Sequence, residues 1–370
     1  MMKIGIITHY YKSRNYGGNL QAYALCEVLR KLGNESEQIS LSRTNNKNIK
    51  GKISDLLNSV LRLKHISCIW NLRKRNKAIQ HFNIHQIPHS KVYHEKNIVH
   101  SANDYDVFIT GSDQVWHPKA CCDAYLLQFV PSTKIKISYA ASVATDQLTT
   151  EIKDWYQEAF QSFDAISVRE ESSAKLLSDI SPCEIEVLLD PTLLLDKNDW
   201  NKILEESEIK EKYIFCYFLG ADQKGREVAL AYAREHGLKV VSLPHLLGAY
   251  RSCDKNYGDY QLYDVSPGKL LSLIKNAEHI FTDSFHAAVF SLIFEKQFNV
   301  FQRKGAETMS VRISSLLDLY DLTDMFCDDI SKVDLAYIES LASIQYQTEF
   351  EKFESAKEQS IQYLKQWTCK

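Results

Sequence analysis

Two side chains combine acid–base chemistry with a place where a strand gives way to a helix: Asp113 and His286. Asp113 lies in Thr-Gly-Ser-Asp-Gln-Val-Trp at 110–116, just past the apolar run 107–109. A carboxylate there can orient or deprotonate a hydroxyl, or it can cap the next helix. Ser112 adds a hydroxyl beside it, and Trp116 offers a flat face on which a sugar ring can stack. His286 lies in Thr-Asp-Ser-Phe-His-Ala at 282–287, between the apolar run 279–282 and a helical pattern. Asp283 or Ser284 is expected to cap that helix, which puts His286 in its first turn. A helix N-terminus disfavours imidazolium and an arriving anion favours it, so His286 would gain its proton when an anionic substrate binds.

Positive charge and flexible backbone complete the set. Arg169, in Ser-Val-Arg-Glu at 167–170, ends an apolar strand and suits bidentate carboxylate or phosphate binding, or a salt bridge to Glu170. Arg303 and Arg312 follow a later strand and add charge at the same edge. The segment 15–21 holds Asn15, Gly17, Gly18, Asn19 and Gln21 directly after the first strand. Its glycines let backbone approach a ligand, and the free amides of a helix start favour anions. The spacing is neither GxGxxG nor a P-loop, so no dinucleotide fingerprint is present. Small residues at 138–142 permit close approach of a ligand or of another backbone.

The elements that must position these residues are short β-branched runs alternating with amphipathic helical segments. Strands are expected at 4–8, 38–41, 107–110, 135–140, 165–168, 185–189, 213–218, 239–243, 279–282 and 299–301, with helices such as 20–32, 225–236 and 268–277 between them. Such alternation indicates βαβ units and parallel sheets, whose strand ends are where ligands bind. Strand clusters divide the chain into domains 1–195 and 196–344, followed by an amphipathic helix within 345–370. The net charge of −3 excludes a polycationic nucleic-acid binder. No apolar run is long enough for a membrane span, and the start is too short for a secretory signal. Nine cysteines without a CxxC support neither a zinc site nor a disulfide framework, which suits reduced thiols in the cytoplasm. The segment 43–77 carries ten basic residues against the single acid Asp55, with helical apolar spacing over 53–61. A basic amphipathic helix of this kind can lie on an anionic membrane surface or serve as a solvated face.

Taken in order, six blocks resemble the polysaccharide pyruvyl transferase family: Asn-Tyr-Gly-Gly-Asn-Leu-Gln, Thr-Gly-Ser-Asp-Gln-Val-Trp, Ser-Tyr-Ala-Ala-Ser, Ser-Val-Arg-Glu, Leu-Asp-Pro-Thr and Thr-Asp-Ser-Phe-His-Ala. The resemblance implies an α/β fold of two Rossmann-like domains facing a cleft, similar to B-type glycosyltransferases. The acceptor side is expected in 1–195, with a basic helical insertion at 43–82, and the last helix is expected to pack back across the domains. It implies transfer of pyruvate from phosphoenolpyruvate to two hydroxyls of a sugar, in a surface polysaccharide or its lipid-linked precursor, as a cyclic ketal. No metal or organic cofactor and no nucleic acid is expected.

By the same resemblance, Arg169 matches the family arginine that contacts the donor, and His286 matches the histidine of an Arg-x-His motif. Ser284 stands where that motif has its arginine, leaving Arg303 or Arg312 to supply the contact. His286 would protonate the donor at C3 or stabilise the departing phosphate, and Asp113 would take the sugar hydroxyl proton. The basic segment suits a lipid-diphosphate acceptor at the inner membrane surface, with the protein attached peripherally. Two other readings use the same residues: a nucleotide-sugar-dependent glycosyltransferase of the same fold, and a non-catalytic polysaccharide-assembly protein.

Overall fold

The computed structural model describes residues 1–43, 66–246, 251–303, 305, 307–346 and 350–369. The chain runs through β1 (Lys3–Ile7), α1 (Tyr16–Lys31), β2 (Glu35–Ser42), α2 (Ile66–Gln86), β3 (His89–His94), β4 (Val107–Thr110) and β5 (Ile135–Ser138). There follow α3 (Thr150–Phe160), β6 (Ile166–Val168), α4 (Glu171–Leu177), β7 (Ile185–Val187) and α5 (Lys197–Asn201). Next come β8 (Tyr213–Tyr217), α6 (Lys224–Glu235), β9 (Lys239–Ser242), β10 (Tyr260–Gln261), α7 (Pro267–Lys275), β11 (His279–Thr282), α8 (Phe285–Ile293) and β12 (Gln297–Phe301). The last are α9 (Glu307–Asp318), β13 (Phe326–Cys327), α10 (Leu335–Ser340) and α11 (Glu351–Thr368). Two compact units result: Met1–Asn45, Asn83–Asp196 and Phe353–Lys370 form the first, and Asn46–Phe82 with Lys197–Lys352 the second.

In the first unit the strands lie in the order β3-β2-β1-β4-β5, all parallel. The parallel pair β6–β7 joins the β5 side through bridges Ile137–Ala165 and Ala141–Val168. β1 is Lys-Ile-Gly-Ile-Ile, with every residue after Lys3 buried, as a strand covered on both faces requires. From β1 the chain moves outward through β2 to β3, then returns to lay β4 on the opposite side of β1. The order in which strands are added therefore reverses between β1 and β4, and at such a switch point the loops diverge and leave a crevice. α1 starts at Asn15, whose side chain accepts from the amides of Gly17 and Gly18. It ends at Gly33 (φ +86°), with the Asn34 amide reaching the Leu29 carbonyl at 3.1 Å. α11 belongs to this unit from Phe353 onward. Ser360 Oγ accepts from the Leu189 amide at 3.0 Å, and the Tyr363 hydroxyl donates to the Ser138 carbonyl at 2.8 Å.

The second unit repeats the plan in the order β10-β9-β8-β11-β12-β13, again parallel throughout. Its switch point lies between β8 and β11. Its core gathers Ile214, Cys216 and Phe218 around β8 with Phe281, Phe301 and the α6 residues Val228, Ala229 and Ala233.

The basic, apolar-spaced stretch at 53–61 lies outside the described residues. The described part of the expected insertion 43–82, residues 66–82, groups with the second unit. Arg75, on α2, is buried and donates to the carbonyls of Pro244 (2.6 Å), Leu262 (3.1 Å) and Tyr263 (3.3 Å), all in the second unit. This charge is consumed by packing, not displayed to a surface. Among the described residues no helix is long and apolar enough to cross a membrane.

Candidate active site

The first unit's switch point is built from the ends of β1 and β4 and the start of α1. Thr8 Oγ1 donates to the Ser112 carbonyl at 2.8 Å. The Gln21 side-chain amide donates to Thr8 Oγ1 (3.1 Å) and to the Gly18 carbonyl (2.9 Å), while its oxygen accepts from the Ser112 amide (3.2 Å). Gln21 and Ser112 are fully buried, so they fix the two strand ends against each other. Gly111 (φ +113°) has no room for a side chain, since a Cβ would run into the Tyr139 carbonyl oxygen. These locks aim Asp113 (φ +67°) at the start of α1, where a Cβ on Gly18 would lie 3.2 Å from Asp113 Oδ2.

Behind Asp113 sits a buried charge cluster. Arg169 bonds Asp190 through Nη1 at 2.6 Å and Glu170 through Nε at 3.0 Å, and its Nη2 lies 4.0 Å from Asp113 Oδ1. Asp190 is held in turn by the amide and hydroxyl of Thr192, and Glu170 by the hydroxyl of Ser173. Burial works against the guanidinium charge, but Glu170, Asp190 and Asp113 outweigh it and raise the Arg169 pKa. His9 completes the cluster. It is two residues past β1, half-buried, with Nε2 3.2 Å from the Gln114 carbonyl and its ring edge-on to Tyr125.

In the second unit a pocket of about 720 Å³ opens at the ends of β8, β11 and β12, the switch point of that sheet. Asp283 forms part of its wall, accepting from the amides of Leu219 (2.5 Å) and Gly220 (2.6 Å). Burial lifts the Asp283 carboxyl above the usual carboxylate range, against the pull of those amides and of Arg303 and Arg226. Arg303 and Arg251 line the same pocket, and Arg251 donates to the Leu219 carbonyl. Arg226, buried and stacked on Phe218, ties Gly220 and Asp222 to Asp254. His286 occupies the first turn of α8, three residues past Asp283, and is half-buried. Arg312 is buried with its guanidinium over the Phe285 ring, 4.8 Å from the centroid.

Several residues singled out from the sequence take other roles. Trp116 is wholly buried, its indole N–H donating to the Tyr125 carbonyl and its ring packed on Phe160, so it offers no sugar platform. The Arg169 side chain is 4% exposed and committed to carboxylates; it positions Asp113 and does not face an anion. The Gly17 and Gly18 amides are taken by Asn15, and Asn19 is fully buried, accepting from Asn83. Ser284, not Asp283, is the N-cap residue of α8. Asp283 turns to the β8 loop, and Ser284 holds the N-cap position without a side-chain bond, its amide donating to Thr282 Oγ1. Arg312 is sequestered on Phe285. Arg303 lines the pocket, Asp113 is partly exposed, and His286 is half-buried with its Nε2 closed off from solvent. Sequence reasoning missed His9, Arg251 and Gly220. The strand-exit argument applied to Asp113 fits His9 equally, since it follows the first apolar run.

Two α/β units with parallel sheets, each gathering its polar residues at a switch point, define a protein of the B-type glycosyltransferase fold class. Solved structures agree on the fold. UDP-GlcNAc 2-epimerase from Methanocaldococcus jannaschii is 12% identical with a TM-score of 0.54, over 99% of this chain and 100% of that one. A putative UDP-N-acetylglucosamine 2-epimerase from Listeria monocytogenes is 11% identical with a TM-score of 0.51, over 91% and 92%. No curated protein matches the sequence. The sequence does match the family described as polysaccharide pyruvyl transferase over residues 15–304, and the chain belongs to that family.

Proposed function

We propose that the protein transfers pyruvate from phosphoenolpyruvate to two hydroxyls of one sugar, closing a cyclic ketal and releasing phosphate. The observation that carries this reading is the extent of the family match: 15–304 takes in the strand exits that bear Asp113 in the first unit and His286 and Arg303 in the second. The donor bears a carboxylate and a phosphate. Arg303 and Arg251 supply guanidinium groups in a pocket with ample room for it. A protonated His286 gives a proton to C3, which leaves positive character at C2. The first sugar oxygen bonds C2 as its proton passes to Asp113. Phosphate then leaves with its bonding electrons, and the second sugar oxygen takes its place. Two hydroxyl protons are lost, one proton is gained at C3 and one is carried off with phosphate, so the reaction needs no oxidant and consumes no water.

The acceptor is proposed to be a surface polysaccharide unit or its lipid-linked precursor. The test is a screen of sugar acceptors with phosphoenolpyruvate, read by phosphate release and product mass. The expected product is heavier than the acceptor by pyruvate less one water. Thermal stabilisation by UDP or GDP but not by phosphoenolpyruvate, with no such product, would replace this reading with glycosyl transfer.

A further inference from the structure

The proposed reaction makes two carbon–oxygen bonds to one carbon, so two acceptor hydroxyls must each lose a proton. Asp113 accounts for the first. His9, beside it at the β1–β4 switch point, has the features of a second acceptor. A carbonyl oxygen only accepts hydrogen bonds, so the 3.2 Å contact with the Gln114 carbonyl places the hydrogen of a neutral His9 on Nε2. Its Nδ1 keeps the lone pair, and among the described residues no hydrogen bond engages that nitrogen.

The ring is oriented by its edge-on contact with Tyr125, centroids 4.5 Å apart, and by the contact with the Gln114 carbonyl. His9 and Asp113 border the same point of α1: a Cβ on Gly18 would sit 3.2 Å from Asp113 Oδ2 and 3.7 Å from the His9 carbonyl. Asp113 favours the imidazolium, Arg43 from the end of β2 and His117 oppose it, and Tyr125 adds an apolar wall. Burial dominates and holds the imidazole below its usual pKa, so near neutral pH the ring waits in its proton-accepting form.

We propose that His9 Nδ1 takes the proton of the second attacking hydroxyl, with Asp113, whose own proton has by then left with phosphate, again a carboxylate that stabilises the imidazolium that forms. As the second oxygen bonds C2, the electron pair of its O–H bond stays on oxygen and the proton passes to Nδ1. Water then removes that proton and restores the neutral ring, which balances the proton given to C3. This role rests on the ketal-forming reading above.

His9→Gln keeps an N–H able to reach the Gln114 carbonyl but removes the base. Expected are a kcat loss of about 100-fold or more, a KM for phosphoenolpyruvate within threefold of wild type, and an unchanged melting temperature. The acid limb of the wild-type pH–kcat profile that belongs to this imidazole should vanish in the variant. Ring-nitrogen NMR of the wild-type protein should show the Nε2–H tautomer titrating below the ordinary histidine range, and lower still in Asp113→Asn. An active wild type with His9→Gln within threefold of its kcat, or an Nδ1–H tautomer, overturns the role of His9 alone. A wild type that forms no ketal with any acceptor overturns the reaction, and this role with it.

Discussion

Arg169 shows how a residue of the right type can serve a site without touching its ligand. Three carboxylates surround one guanidinium, and Asp190 and Glu170 bind it at hydrogen-bond distance, leaving Asp113 at the looser 4.0 Å. Asp113 is thus held by charge while remaining the least engaged of the three. Removing the cation leaves buried carboxylates facing one another. Arg169→Met should cost about 3–5 kcal/mol in urea unfolding, and Arg169→Lys should recover only part, because a point charge cannot serve partners in different directions as the guanidinium does. Wild-type stability of Arg169→Met would show that the cluster relaxes without its cation. Spacing and residue type made Arg169 visible in the sequence. Its burial was not visible, because Asp190 comes from a strand exit 21 residues away that only the fold brings alongside.

At the scale of elements, the strands beside the switch points were legible and the edges were not. β4 and β11 lie where apolar β-branched runs placed them, at Val107–Thr110 and His279–Thr282. β3 escaped because His-Ser-Lys-Val-Tyr-His buries little beyond Tyr93, as an edge strand can. The β11–β12 ladder also carries a titration. The neutral His279 Nε2–H donates to Asn299 Oδ1 at 2.8 Å, with the ring stacked on Phe281. Burial pushes this imidazole down to about 4. The unfolded chain, near the ordinary 6.5, binds a proton that the folded ladder refuses. Stability is therefore full above pH 6.5, declines as pH falls toward 4, and loses nothing further to this group below that. The loss should reach about 3 kcal/mol. Denaturant midpoints at pH 7, 5.5 and 4.5 should fall less steeply in His279→Gln than in wild type; parallel slopes would discount the group.

Over the whole molecule, the first unit is assembled from three separated stretches of chain and the second from two. The amphipathic pattern of the last helix was readable in the sequence. Its attachment was not, because polar contacts such as Ser360 with Leu189 and Tyr363 with Ser138 leave no periodic trace. Deleting residues 353–370 strips two buried backbone groups of their partners and removes the buried Tyr363 and Leu364. At about 1–3 kcal/mol for each orphaned group and 2–5 for each large side chain, the loss rivals the whole stability of a typical domain. The truncated chain should lack the near-UV circular dichroism of a packed first unit; an unchanged spectrum would show the helix to be dispensable.

That three-part construction bears on how the protein is made. Domains usually fold as they leave the ribosome, amino end first. Here the first unit must wait for the helix that begins at Phe353, so β1 and its neighbours remain incomplete while the other unit is translated. A chaperone that shields apolar strands would find its longest-lived client surface on β1 and its neighbours.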